Sequence, residues 1–251
     1  MRYNRVLVKL SGGAMAGDKG WGFAPSALNH IADEVLMLHD LGVQVSVVVG
    51  GGNIFRGELG EEWGIERAEA DNIGMIATVT NSLMLRGVLK SRGDVDVRVM
   101  TAIPIDTVAE PFIRLRAIRH LENGYIVILA AGTGNPYVTT DYPSVQRALE
   151  LRSDAILAAK NGIDGVYTAD PNRDPSARRF KQINYDTVLL RNLKALDQSA
   201  VLLARDHGLP VHVFDFDTPG TMCQICNGED VGTLICNDED ILVDAQVKKI
   251  E

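Results

Sequence analysis

Apolar positions through Arg5–Leu10 alternate in the manner of a strand, and the run is rich in Val and Leu before it breaks at Ser11-Gly12-Gly13. After a glycine-rich stretch, Pro25 stands where a first helical residue belongs. Leu28, Ile31, Val35 and Leu38 follow at helical spacing, and Leu41-Gly42 ends the helix. Val43–Val49 predicts a second strand that empties directly into Gly50-Gly51-Gly52. Ile73, Ile76, Ala77, Thr80, Leu83 and Met84 then line one side of a long helix. Further strands are predicted at Val97–Ile103, Tyr125–Ala131, Ala155–Ala159, Val211–Phe214 and Gly232–Cys236. Helices are predicted at Phe112–Leu121, Tyr142–Leu151, Tyr185–Leu190 and Gln198–Asp206. Strands alternating with helices imply an α/β fold, a mostly parallel central sheet covered on both faces as a three-layer α/β/α sandwich. No long polar, Pro/Gly-rich stretch divides the chain, and no internal repeat is evident. One domain is therefore expected over residues 1–236. Residues 237–251, polar and charged around a small apolar centre at Ile241-Leu242-Val243, are expected to form a C-terminal appendage.

Composition narrows the function more than the fold. The apolar and charged fractions of the 251 residues are those of an ordinary globular protein. The longest apolar runs, such as Tyr125–Ala131, fall far short of the about 20 residues that span a membrane. Met1-Arg2-Tyr3-Asn4-Arg5-Val6 runs straight into the first strand and leaves no room for a signal peptide, so a cytoplasmic location with no membrane partner is expected. The net charge of −8 argues against a general nucleic-acid binder. It leaves a nucleotide substrate open, because backbone N–H groups and a few cations suffice to hold a phosphate. Cys223-x-x-Cys226 invites a metal reading, but a closed zinc site needs a fourth ligand, for which only residues such as His207 or His212 are at hand. Reduced thiols on a helix and a strand are the better reading, and no metal site is expected. His30, His39, His120, His207 and His212 form no ligand pattern.

Three strands end in glycine-rich turns: Lys9-Leu10-Ser11-Gly12-Gly13, Gly50-Gly51-Gly52-Asn53 and Gly132-Thr133-Gly134. In open α/β sheets ligands bind at the carboxyl ends of strands, where glycine lets the backbone approach a phosphate. One Gly-Gly alone is most simply a tight turn. Three at equivalent places, two with a cation nearby (Lys9 and Arg56), point to a site for a large polyanion. The chain has no Gly-x-x-x-x-Gly-Lys-Ser/Thr signature and no Gly-x-Ser-x-Gly elbow, so it is neither a P-loop enzyme nor a hydrolase of that type.

Val8-Lys9-Leu10-Ser11-Gly12, Gly50-Gly51-Gly52-Asn53-Ile54-Phe55-Arg56-Gly57 and Asp71-Asn72-Ile73-Gly74-Met75 resemble successive signatures of the bacterial UMP kinases, within the amino-acid kinase superfamily. The series continues in order with Gly132-Thr133-Gly134-Asn135-Pro136-Tyr137-Val138-Thr139-Thr140-Asp141, Asp164-Gly165-Val166-Tyr167-Thr168-Ala169-Asp170-Pro171 and Leu203-Ala204-Arg205-Asp206-His207. It covers residues 3–236. The first and last motifs are generic to the superfamily, whereas Phe-Arg-Gly after the triple glycine and the Thr-Gly-Asn-Pro block are specific to this family.

The resemblance implies an amino-acid kinase (carbamate kinase-like) fold and transfer of the γ-phosphoryl group of ATP to UMP. It places Lys9, Leu10, Ser11 and Gly12 on ATP phosphates, with Lys9 on the transferring group. Gly52 and Arg56 would also contact ATP, and Asn161, Tyr167 and Asp170 would frame its nucleoside. Gly51 and Asp71 would contact UMP, Asp71 through the ribose. Thr133, Gly134, Asn135, Pro136, Tyr137, Val138, Thr139 and Thr140 would wrap the uracil and its phosphate. Lys9 and Arg56 would act in catalysis, with Asp141 and Asp197 positioning Lys9 or the Mg²⁺ that accompanies ATP. It further implies a homohexamer and a GTP-responsive region at Gly17, Asp18, Lys19, Gly20, Trp21 and Gly22.

Two departures stand out against that pattern. Gly13 occupies a position where many members carry Glu, and Trp21 replaces another aromatic; both leave GTP regulation less defined than catalysis. The tail after Cys236 is longer than members commonly carry. Fold alone does not fix the acceptor, so carbamate, acetylglutamate, glutamate or isopentenyl phosphate remain alternatives, as does an oxoanion (molybdate) storage protein without catalysis. Asp71 and the Thr-Gly-Asn-Pro block favour a nucleotide acceptor.

Overall fold

Alternate residues of the central strands enter two separate apolar clusters, one on each face of the sheet. In the first strand, β1 (Arg5–Leu10), Val6, Val8 and Leu10 face one cluster while Leu7 faces the other. That period-two division is what a doubly covered sheet requires. The computed structural model describes residues 1–171 and 173–243. The remaining strands are β2 (Gln44–Val49), β3 (Val97–Thr101), β4 (Glu110–Pro111), β5 (Ile126–Ala130), β6 (Ala155–Lys160), β7 (Phe180–Asn184), β8 (Val211–Asp215), β9 (Thr233–Cys236) and β10 (Ile241–Leu242). They form one sheet in the order β10-β7-β9-β8-β6-β1-β2-β5-β3-β4. All pairings are parallel except β8 with β9 and β7 with β10.

Helices α1 (Gly13–Ala16), α2 (Pro25–Asp40), α3 (Gly57–Glu62) and α4 (Arg67–Arg92) follow β1 and β2. Next come α5 (Arg114–Glu122), α6 (Asp141–Glu150), α7 (Tyr185–Leu190), α8 (Gln198–His207) and α9 (Thr221–Asn227). Leu28, Ile31, Val35 and Leu38 of α2 pack on the first face with Val79, Leu85 and Leu89 of α4 and Met222 and Ile225 of α9. The second face is covered by Ile118 and Leu121 of α5, Val145 and Ala148 of α6, Tyr185 and Val188 of α7, and Val201 and Ala204 of α8. The expected three-layer, mostly parallel architecture is what the chain adopts. No helix among the described residues is long and apolar enough to cross a membrane.

Three differences from the sequence pattern have physical reasons. Helix α4 runs 26 residues. Its Ile73, Ile76, Thr80 and Met84 point outward, while small and polar Ala77, Thr78, Asn81 and Ser82 face the sheet. Helix α5 begins at Arg114 rather than Phe112, because Ile113 is extended at φ −122° and ψ 113° and Phe112 continues alongside β3, its N–H donating to the Thr101 carbonyl at 2.9 Å. Part of the expected appendage returns to the sheet: β10 pairs with β7, and Asn184 binds the Asp240 carboxylate and the Asn237 carbonyl at 2.7 and 2.8 Å. The rest of that segment, 244–251, lies outside the described residues.

Candidate active site

Strand alternation puts Lys9 on the Leu7 face, beneath α6, whose first residue is Asp141. Lys9 Nζ lies 2.5 Å from Asp141 Oδ1, the two side chains being 9% and 13% exposed. Asp141 Oδ2 also accepts the Asp197 N–H at 3.1 Å, and the Thr139 hydroxyl donates to the Asp197 carboxylate. A second cation completes the group. Lys9 pairs with Ala158 across the sheet, so Lys160, two residues on, emerges on the same face at the end of β6. Burial holds the Lys160 ammonium below the usual lysine range, and the Lys9 charge lowers it further against the pull of Asp141 and Asp197. Lys160 was not singled out in the sequence, although it precedes Asn161-Gly162 much as Lys9 precedes Ser11-Gly12.

The first two glycine turns interlock in front of this group. A Cβ on Gly12 would sit 2.6 Å from the Gly52 nitrogen and 2.7 Å from the Gly50 carbonyl, and one on Gly51 would meet the Gly74 carbonyl of α4 at 2.7 Å. Only glycine fits either place, so backbone rather than side chain lines this part of the site. The Gly50 N–H donates to the Leu10 carbonyl at 3.0 Å, and Arg56 Nε donates to the Gly52 carbonyl at 3.1 Å with its guanidinium exposed.

The opposite wall is the segment after β5. The Thr78 hydroxyl accepts the Ala131 N–H at 2.8 Å, holding Ala131 at φ 62°. Tyr137 is likewise left-handed at φ 66°, and its N–H donates to Asp71 at 2.7 Å. Arg67 Nε holds both oxygens of Asp71 at 3.0 Å. Both non-glycine residues hold a conformation they seldom adopt, and the hydrogen bonds to Thr78 and Asp71 fix them there.

These parts enclose a cavity of about 560 Å³. Of the expected site residues, Ser11, Gly12, Gly51, Gly52, Arg56, Asp71, Thr133, Asn135, Val138, Thr139 and Thr140 line it. Lys9, Asp141 and Asp197 adjoin it through Thr139. Leu10 offers only its backbone, its side chain lying in the core. Gly134, Pro136 and Tyr137 belong to the same wall without lining the cavity. Asn161, Tyr167 and Asp170 lie beyond the end of β6, outside it. There Asn161 Nδ2 donates to Asp217 at 2.8 Å, the Tyr167 hydroxyl donates to Asp164 at 2.7 Å, and Asp170 pairs with Arg173 at 3.5 Å. Asp217 and Asp215, which also accept the Gly162 N–H, carried no sequence signal. The loop Gly17, Asp18, Lys19, Gly20, Trp21 and Gly22 is also outside the cavity, with Lys19 and Trp21 exposed.

Chemically, the cavity joins a polyanion cradle to a polar wall built around Asp71. No group of three or more His, Cys, Asp or Glu side chains able to hold a metal ion occurs among the described residues. Cys223 and Cys226 are free thiols on α9, and Cys236 is a free thiol at the end of β9.

Residues 4–215 match the Amino acid kinase family. A uridylate kinase from Frankia casuarinae is 57% identical over 93% of this chain and 90% of its own length. A uridylate kinase from Limosilactobacillus reuteri is 49% identical over 95% of this chain and 99% of its own. The crystal structure of UMP kinase from Bacillus anthracis superposes with a TM-score of 0.95 at 60% identity, covering 97% of this chain and 100% of that one.

Proposed function

Because the chain belongs to the amino acid kinase family, we propose that its cavity is the active site of a nucleoside monophosphate kinase. It transfers the γ-phosphoryl group of ATP to UMP, giving ADP and UDP. The observation that carries this reading is the cavity itself, with interlocked glycine turns and Arg56 on one side and Asp71 with Thr133–Thr140 on the other. A phosphate cradle facing a polar wall fits a donor and an acceptor that both carry phosphate.

In this reading Ser11, Gly12, Gly52 and Arg56 take the ATP phosphates, and Lys9 takes the transferring group. The adenosine extends past the end of β6 towards Asn161, Tyr167 and Asp170, and Lys160 adds a second cation at that edge. UMP lies against Gly51, Asp71 and Thr133–Thr140. Its phosphate is already an anion at neutral pH, so no strong general base is required. The task is to hold two mutually repelling polyanions in line and to neutralise charge in a loose transition state. Fixed N–H groups, Lys9, Lys160 and Arg56 provide that field without reorganising.

Mg²⁺ would enter with ATP as the ion on its phosphates. Asp141 and Asp197 are the carboxylates beside the transferring group and would hold it there, directly or through water. Bound to phosphate oxygens, the ion neutralises part of their charge.

The apolar stripe Ile73, Ile76 and Met84 on the outer face of α4, continued by Ile54, supports self-association. A homohexamer working in the cytoplasm, with GTP acting at Gly17–Gly22, is the corresponding proposal. The test of function is an acceptor screen with Mg-ATP: UMP is phosphorylated, while CMP, dTMP, carbamate and acetylglutamate are used far less. Equal turnover on CMP would remove uracil selectivity, and turnover on a carboxylate acceptor alone would overturn the reading.

A further inference from the structure

Behind the triple-glycine turn lie two asparagines that touch no part of the cavity. Asn53 is 2% exposed and Asn81, on the inner face of α4, is fully buried. Neither lines the cavity. Their carboxamides bind each other reciprocally: Asn81 Nδ2 donates to Asn53 Oδ1 at 2.7 Å, and Asn53 Nδ2 donates to Asn81 Oδ1 at 3.2 Å. Each has one further N–H, and each spends it on a loop carbonyl. Asn81 holds the Gly50 carbonyl at 2.7 Å, and Asn53 holds the Gly22 carbonyl at 2.8 Å. All four amide N–H groups and both amide oxygens are thereby used, the condition under which a buried polar network rigidifies rather than destabilises.

The three segments joined here are chemically distinct. Gly50 opens the turn whose Gly51 and Gly52 line the cavity, and its own N–H is bound to the Leu10 carbonyl at the end of β1. Gly22 closes the exposed loop Gly17–Gly22, and its N–H returns a bond to the Asn53 carbonyl at 2.7 Å. Asn53 Oδ1 is also one of the atoms that a Cβ on Gly12 would strike, at 2.7 Å. The pair therefore backs both phosphate turns from the side away from the ligand. Glycine turns have no side chains of their own to fix their conformation, so their geometry must come from outside.

We propose that Asn53 and Asn81 are positioning residues for phosphoryl transfer, acting as one unit that sets the Gly50–Gly52 turn and ties it to the Gly17–Gly22 loop. The proposal rests on the reading of the cavity as a phosphoryl-transfer site. Because they touch no substrate, their loss changes the alignment of bound phosphates more than the binding of UMP. Misplacing a reacting group by about 1 Å costs on the order of a hundredfold in rate.

The experiment compares Asn53→Ala, Asn81→Ala and the double variant with the parent, in the full-length protein. Steady-state turnover with UMP and Mg-ATP is measured beside backbone hydrogen exchange. The proposal expects kcat to fall at least about tenfold in each single variant, with the UMP KM within about threefold. The double variant should be little worse than either single one, since coupled residues are not additive. Exchange should quicken at residues 20–24 and 50–54 while β1, β5 and β6 stay protected. Turnover within twofold of the parent, or multiplicative losses in the double variant, overturns it. So does faster exchange throughout the sheet accompanying the loss, which would mark plain destabilisation. If an alanine variant fails to fold, Asn81→Leu keeps most of the volume and adds no buried charge while removing both donations, and the same outcomes apply. A parent that makes no UDP would defeat the functional reading alone. In that case the exchange pattern at 20–24 and 50–54 still decides whether the pair holds the two loops.

Discussion

Replacing Lys9 by methionine removes a charge while keeping most of the side-chain volume, and it separates catalysis from stability. Lys9 is held at 2.5 Å from Asp141 Oδ1 in surroundings that expose 9% and 13% of the two side chains. One electrostatic donor to a transferring group is worth about 2–4 kcal/mol, so turnover should fall by roughly 30- to 1000-fold. Breaking a buried ion pair from one side costs about 3–5 kcal/mol because the remaining charge is stranded. Asp141 keeps the Asp197 N–H as a donor at 3.1 Å, which offsets part of that cost, so a stability loss at the lower end, about 3 kcal/mol, is the expectation. The informative companion is Lys9→Met combined with Asp141→Asn, which removes the stranded carboxylate. Urea unfolding should show stability largely restored in the double variant, while initial rates of UDP formation remain low. The rate reference is Asp141→Asn alone, which leaves Lys9 in place: if adding Lys9→Met to it lowers turnover no further, Lys9 is only a structural partner of Asp141 and the catalytic argument fails.

Asp71→Asn should raise the UMP KM by more than it lowers kcat, because its contact is made in both ground and transition states; a rise in the ATP KM instead would reverse the two sides of the cavity. Ile76→Glu, which places a charge at a residue 47% exposed in the isolated chain, should reduce any assembly size that light scattering measures for the parent, and an unchanged size would remove α4 from the proposed self-association. His212 supplies a pH test: burial depresses its pKa to about 3, so the folded protein keeps it neutral while the unfolded chain protonates it near pH 6.5. Its contribution to stability is present above about pH 6.5 and is lost at up to about 1.4 kcal/mol per unit as pH falls from there towards 3. Denaturant midpoints across pH 5–7 should fall less steeply in His212→Gln, and parallel slopes would refute the assignment.

The central sheet was legible because its strands are either alternating or wholly apolar, and because Pro25 and Gly42 bracket α2. β7 escaped notice because its buried residues, Phe180 and Ile183, are three apart and mimic a helix. The outward stripe on α4 was visible as a pattern, but a pattern does not say which side faces the sheet. Ala77, Thr78, Asn81 and Ser82 hold the inner side because the glycine turns demand close approach and hydrogen bonding there. The cradle was legible from its glycines and Lys9. Lys160, Asp215 and Asp217 were missed because each is an ordinary charge at a strand end until the fold brings β6 and β8 together.

UDP formation from UMP and Mg-ATP by the purified chain, followed by separation of the nucleotides, bears most directly on the whole account. UDP and ADP should appear in equal amounts at a rate that Lys9→Met reduces by about two orders of magnitude. ADP released without UDP, or UDP formed equally well by the Lys9→Met variant, would contradict it.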